Sequence, residues 1–200
     1  MPDWDRDSPK LTANLRAVMA QVRKDAHRRV KPHLGLARDW HALTMQGLLV
    51  PRPAYVQNFR GEAGLERFEI VIDRQYGVRA ASVRTALKQF ERELQRRVAR
   101  LDQDVAPKAA LTGVQLGAVI ELCAWVHAEW IRIHPFANGN GRTARIWTNF
   151  IAMRYGLPPF VRLRPRPNHG YEEAGAKAMR GDWKPTARSF KSMLKELLSQ

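Results

Sequence analysis

The sequence predicts a mainly α-helical single domain over residues 1–200, with one small β-hairpin. Three observations lead there. Apolar residues recur at steps of three and four along most of the chain, the period of an amphipathic helix. One short stretch, around residues 68–73, instead follows the two-residue period of a strand, with Phe68, Ile70 and Ile72 on one side. Hydrophobic residues make up 44 % of 200 residues, enough for one full core, and nothing in the chain calls for a second.

Residues 1–9 read as a loose lead-in ending at Ser8-Pro9, with Pro9 suited to the first turn of a helix. From Lys10 to about Val30, Leu11, Leu15, Val18, Met19 and Val22 share a face opposite Arg16, Arg23, Lys24 and Arg28, so a helix follows. Its basic end, RKDAHRR, is best explained as a solvated face. Prolines and glycines break the next segment, leaving a helix near Asp39–Gly47 and an irregular connection through PRPAYVQNFRG. Phe68, Ile70 and Ile72 alternate with Glu69, Val71 and Asp73, and Tyr76-Gly77-Val78 comes after a polar break, which predicts a hairpin over about 68–78. A lone hairpin is unstable in water, so this one must pack on helices.

Val83, Leu87, Phe90, Leu94, Val98 and Leu101 define a helix over Ser82–Leu101 with Ser82 as N-cap. Its opposite face carries Arg84, Lys88, Arg92, Arg96, Arg97 and Arg100, a possible nucleic-acid stripe. No aromatic residues interleave with these arginines and Glu91 and Glu93 dilute them, so solvent is the better partner. Asp102–Ala110 reads as a linker. The run Gly113–Ile133 reads as a core helix in which Cys123 is a buried small residue and His127 a packed or hydrogen-bonded one, since two such side chains do not close a zinc site. Another helix runs from about Gly141 to Gly156, where Pro158-Pro159 forbids continuation. The basic loop FVRLRPRPNHG follows, with Arg162, Arg164 and Arg166 as candidate charges near a binding site. Tyr171–Met179 and about Thr186–Leu198 complete the helices.

Bulk properties narrow the setting. No apolar run is long enough to span a bilayer, and the charged start MPDWDRDSPK does not resemble a signal peptide, so the expected compartment is cytoplasmic. The single cysteine, Cys123, cannot form an internal disulfide and suits a reducing environment. A net charge of +15 favours polyanionic partners without choosing among ATP, nucleic acid and an acidic protein.

Chemical function concentrates between His134 and Arg145, in HPFANGNGRTAR. The segment lies between two core helices. Glycines 139 and 141 permit backbone in which successive N–H groups converge as an anion nest, and the helix starting near Arg142 points its positive end at the same place. Arg142 and Arg145 share a helix face and can clamp distal phosphates. His134 stands at the lip of that cradle as a base.

HPFANGNGRTAR resembles the signature of Fic-domain proteins: His-Pro-Phe, any residue, Asp or Glu, Gly-Asn-Gly-Arg, two of any kind, Arg. The one departure is Asn138, at the acidic position that in the family holds the magnesium bridging the nucleotide phosphates. The resemblance implies a helical bundle around a helix-loop-helix active site with a hairpin flap, and a protein adenylyltransferase that moves AMP from ATP to a Ser, Thr or Tyr hydroxyl of a target protein. His134 would deprotonate the hydroxyl; Gly139, Asn140 and Gly141 would hold phosphates; Arg142 and Arg145 would neutralise the leaving pyrophosphate; Phe136 would anchor the loop in the core. The hairpin would bind the target as an added strand. ATP and Mg2+ are the implied cofactors, with Asn138 a neutral and weaker metal ligand than a carboxylate. Asn58-Phe59-Arg60-Gly61 loosely resembles a Gly-x-Tyr-Arg stretch of the family, and Glu196 lies where an inhibitory helix would carry its glutamate, although Leu197 departs from that motif. If neither end inhibits, a small antitoxin-like partner is implied, as for toxins of this family. The alternatives are a regulatory module that binds nucleotide without AMP transfer, a transferase of another phosphate-containing group, and a basic nucleic-acid binder that leaves the signature unexplained.

Overall fold

The computed structural model describes residues 8–199 apart from 73, 108, 168 and 169. In chain order the elements are α1 (Pro9–His27), α2 (Leu34–Met45), β1 (Val71–Ile72), β2 (Gln75–Tyr76), α3 (Ala80–Asp104), α4 (Gly113–Ile133), α5 (Asn140–Arg154), α6 (Tyr171–Met179) and α7 (Lys184–Leu198). The mainly helical fold with one small hairpin is thus the observed one.

α4 is the axis. It is apolar almost all round, and it packs against α3, α5, α6 and α7, while α1 and α2 close over α5. Trp130 of α4, Trp147 of α5, Trp40 of α2 and Phe90 of α3 meet at the centre, with Trp40 edge-on to Trp147 at 4.7 Å and Phe90 edge-on to Trp130 at 5.4 Å. Thr112 and Gln115 form a capping box that fixes the start of α4. Gly156 (φ 82°) ends α5: Leu157 N–H reaches back to the Ala152 carbonyl at 3.0 Å and Gly156 N–H to that of Met153 at 3.2 Å. The end of α5 is also held electrostatically. Arg154, 5 % exposed, pairs with Asp102 at 2.5 Å, and Tyr155 Oη donates to the same carboxylate at 2.9 Å.

Several boundaries differ from the sequence expectation, for two reasons. Some helix starts are capped from far away. α2 begins at Leu34 rather than Asp39 because Glu91 of α3 accepts the Leu34 N–H at 2.7 Å. α3 begins at Ala80 rather than Ser82 because Glu69 accepts the Ala80 N–H at 3.1 Å; Ser82 lies inside the helix and caps nothing. Pro9 opens α1 in its first turn, as expected, while other helices run past their expected bounds: α3 continues to Asp104, and α7 starts at Lys184 with Pro185 in its first turn. Conversely α1 stops at His27, short of Val30, where Arg29 turns to positive φ. Residues 1–7 of the lead-in lie outside the described residues.

The hairpin is shorter than its alternation suggests. Val71 pairs with Tyr76 and Ile72 with Gln75, and Gly77 N–H adds one bond to the Ile70 carbonyl at 3.1 Å. Phe68 packs on Tyr55 instead of joining the ladder. Val71 and Tyr76 are 52 % and 62 % exposed. Among the described residues no helix is long and apolar enough to cross a membrane.

Candidate functional site

The site forms where α4 ends and α5 begins. His134 caps α4 in the left-handed conformation (φ 52°), its N–H still bonded to Trp130 at 2.9 Å. Its Nδ1 lies 2.8 Å from the Ile131 carbonyl. A carbonyl only accepts, so Nδ1 carries the proton and Nε2 keeps its lone pair. Burial lowers the imidazole pKa to about 4; the Ile131 hydrogen bond opposes that and the nearby Arg60 charge adds to it. His134 is therefore neutral near pH 7, the form a general base requires.

The loop beyond His134 is held by its own residues and by two neighbours. Phe136 is fully buried, as expected, and Asn140 bonds its backbone in both directions at 2.8 Å, Oδ1 accepting the N–H and Nδ2 donating to the carbonyl. The Asn140 side chain is thus a brace of the loop, leaving only its backbone to meet phosphate. His41 of α2 stacks on Phe136 at 3.9 Å between centroids. Gln57 N–H donates to His41 Nδ1 at 3.1 Å, so Nε2 carries the proton and donates to the Asn138 carbonyl at 3.1 Å. Burial brings the His41 pKa down to about 4, so that arrangement persists at neutral pH. Gly139 sits at φ 78°, and a Cβ there would lie 3.0 Å from Met45 and 3.3 Å from His41 Nε2.

Arg60 is the second neighbour, 1 % exposed. Its Nε donates to the His134 carbonyl at 2.7 Å, Nη2 to Ile133 at 2.9 Å and Val78 at 2.6 Å, and Nη1 to Phe68 at 3.2 Å, with Glu69 at 3.4 Å as counter-charge. One guanidinium therefore joins the end of α4 to both arms of the hairpin. In the sequence Arg60 stands out only through a loose family resemblance, since Arg67 lies in the same stretch and no local pattern tells the two apart.

α5 starts at Asn140 with no side-chain cap. Its first turn faces a cleft of about 1640 Å³ lined by His134, Asn138, Gly139, Asn140, Gly141, Arg142 and Arg145, with the hairpin on one side and α6 on another. All the candidate residues are thereby brought together. Arg142 and Arg145 are each 6 % exposed. Arg145 is aimed by Tyr171 Oη at 3.3 Å and the Leu163 carbonyl at 3.1 Å, and His127 Nε2 meets the same hydroxyl at 2.6 Å. Burial, then the Arg145 charge, holds His127 neutral with a pKa of about 3, so its packed, hydrogen-bonded role stands. Cys123 is buried and its thiol pKa is pushed up. Arg164 and Arg166 line the cleft, whereas Arg162 turns back to the Pro165 carbonyl at 3.1 Å.

The magnesium implied at Asn138 fits poorly. Asn138 Oδ1 already accepts the Gly139 N–H at 2.6 Å, and Nδ2, a donor, is buried without a partner among the described residues. Among the described residues Glu69 and Glu172 are the carboxylates that line the cleft; Glu69 binds Arg60 and Ala80, and Glu172 faces Arg166 at 3.4 Å. Glu196 is exposed on α7 beside Arg188, Ser189, Ser192 and Met193, and does not line the cleft. On the basic face of α3, Glu93 is drawn down to a pKa of about 2 by its bond to Arg96, with Arg97 contributing, as on a solvated helix with internal pairs.

Comparisons with known proteins bear on the family and the fold. The chain is 45 % identical over 69 residues to the protein adenylyltransferase Fic of Nematostella vectensis, covering 34 % of this chain and 16 % of that protein. It is 41 % identical over 69 residues to the protein adenylyltransferase fic-1 of Caenorhabditis elegans, covering 34 % and 13 %. The matches therefore span less than a fifth of these relatives' lengths. A crystal structure of a Fic-domain-containing signalling protein from Bacteroides thetaiotaomicron superposes with a TM-score of 0.66 at 20 % identity, over 95 % of this chain and 70 % of that one, a likeness of fold. Residues 34–152, which include the hairpin, the loop and both arginines, match the Fic/DOC family. The chain belongs to the Fic/DOC family.

Proposed function

We propose that the chain transfers AMP from ATP to a Ser, Thr or Tyr hydroxyl of a target protein. One observation carries the reading: a neutral His134, its Nδ1–H tied to Ile131 and Nε2 left as base, beside a cleft with two buried arginines. In the step, the target oxygen bonds to the α-phosphorus as the bond from that phosphorus to the oxygen bridging to the β-phosphate breaks. The hydroxyl proton passes to His134 Nε2. Pyrophosphate leaves against Arg142, Arg145 and the first turn of α5, which supply charge neutralisation and alignment, the main needs of such a transfer. The exposed Val71 and Tyr76 suit addition of a target segment to the hairpin as a further strand. The names of the relatives, protein adenylyltransferase, support the same chemistry.

A second reading, nucleotide binding without transfer, draws on Asn138 alone. The two separate in one experiment: the purified protein is incubated with ATP in a cell lysate, with His134→Ala alongside, and AMP adducts are sought by mass spectrometry. Adducts that vanish with His134→Ala establish the transferase. ATP bound in a titration without any adduct sinks it in favour of the second reading.

A further inference from the structure

We infer that the cleft takes the nucleotide's polyphosphate as the free anion rather than as a magnesium chelate, because residue 138 offers it N–H groups and no carboxylate. The inference rests on the nucleotide-binding part of the reading above.

Each oxygen of Asn138 already accepts one hydrogen bond. Oδ1 accepts the Gly139 N–H at 2.6 Å, and the main-chain carbonyl accepts from His41 Nε2 at 3.1 Å. Exchanging the amide's oxygen and nitrogen would set two donors, Nδ2 and the Gly139 N–H, against each other. The orientation is therefore fixed by the backbone, and the unsatisfied atom at this position is a donor, Nδ2. A buried donor without a partner carries a desolvation penalty that an incoming acceptor removes. A phosphate oxygen is such an acceptor; a metal ion is not.

The surroundings agree. Arg142 and Arg145 are buried at the same end of α5, whose N-terminus adds positive potential. Among the described residues, the two carboxylates that line the cleft are engaged with Arg60 and Ala80 and with Arg166. A cation brought in with the nucleotide would meet this positive set with no acidic residue in the loop to offset it. Magnesium bound to ATP also cancels part of the charge on which the arginines and amides act.

The test is calorimetric titration of the whole chain with ATP, once in EDTA and once in saturating magnesium, for the natural protein and Asn138→Asp, with thermal melts to show that both are folded. The natural protein is expected to bind ATP in EDTA at least as tightly as in magnesium. Asn138→Asp is expected to reverse the order, magnesium tightening its binding by roughly tenfold, about 1.4 kcal/mol. A natural protein whose ATP affinity rises roughly threefold or more on adding magnesium overturns the inference while leaving nucleotide binding intact. If Asn138→Asp folds and shows no magnesium response, position 138 is not the determinant and the inference also fails. No binding in either condition removes the nucleotide reading itself.

Discussion

Replacing Arg60 by Met is the most informative single perturbation of the scaffold. The guanidinium donates to four main-chain carbonyls, those of Phe68, Val78, Ile133 and His134, and neutralises Glu69. Met fills similar volume but donates nothing, so the carbonyls lose their partners where water has little access. Each hydrogen bond contributes about 1 kcal/mol net and each stranded acceptor costs about 1–3 kcal/mol. Two or three carbonyls will find water as the hairpin lifts, which leaves a loss on the order of 4 kcal/mol, near the upper end for a single substitution. With a urea slope of about 2 kcal/mol/M, the unfolding midpoint should fall by about 2 M. Arg60→Lys keeps the charge without the planar fork and should recover less than half of that. Hydrogen exchange adds a local readout: the Gly77 and Val78 amides should lose protection before those of α4. A midpoint shift under about 0.5 M, with hairpin protection unchanged, would refute the claim that this arginine joins hairpin to helix.

Three further outcomes follow from the same geometry. His41, His127 and His134 have pKa values of about 4, 3 and 4, below their ordinary 6.5, so between pH 6.5 and 4 the unfolded chain binds more protons and stability falls as pH falls. From pH 6 to 5 the loss should be on the order of 3 kcal/mol, and a flat urea midpoint over that interval would contradict neutral burial of the three. Asp102→Ala strands buried Arg154 at the far end of α5 and should cost about 3–5 kcal/mol in urea unfolding while leaving ATP affinity within about twofold. Gly77→Ala places a Cβ 3.0 Å from His134 Cβ and 3.1 Å from Arg60 Nη2, pushing the hairpin away; NMR titration should show the His134 pKa rising toward 6.5 as solvent enters.

The helices were legible because each buries a stripe whose period is written in consecutive residues, Val83 to Leu101 of α3 being the plainest case. Their ends were less so. Leu34 and Ala80 begin helices because Glu91 and Glu69 reach them across the fold, and nothing local to either start announces that. The same division runs through the site. His134, Arg142, Arg145 and the glycines form one continuous motif and were readable as a phosphate cradle with a base. His41, Arg60 and Tyr171, which fix Asn138, His134 and Arg145, lie 97, 74 and 26 residues from those partners and meet them only through folding, so no spacing rule reveals them.

Arg60 also answers an electrostatic problem that the motif creates. A histidine at the C-terminal end of a helix sits among carbonyls with no helical partner, whose negative potential favours its protonated form by up to about 2 kcal/mol, more than one pKa unit. His134 occupies that position at the end of α4. Left uncorrected, the potential would oppose burial and push the imidazole toward the cation, which cannot accept a proton. Arg60 takes the carbonyls of Ile133 and His134 as hydrogen-bond acceptors and sets a fixed positive charge beside the ring, and that charge lowers the His134 pKa further. The Ile131 carbonyl is left to orient Nδ1, so one carbonyl aims the base while two are silenced by the arginine. Burial does most to keep the imidazole neutral, and a residue outside the signature adds to it through the same guanidinium that seats the hairpin over it.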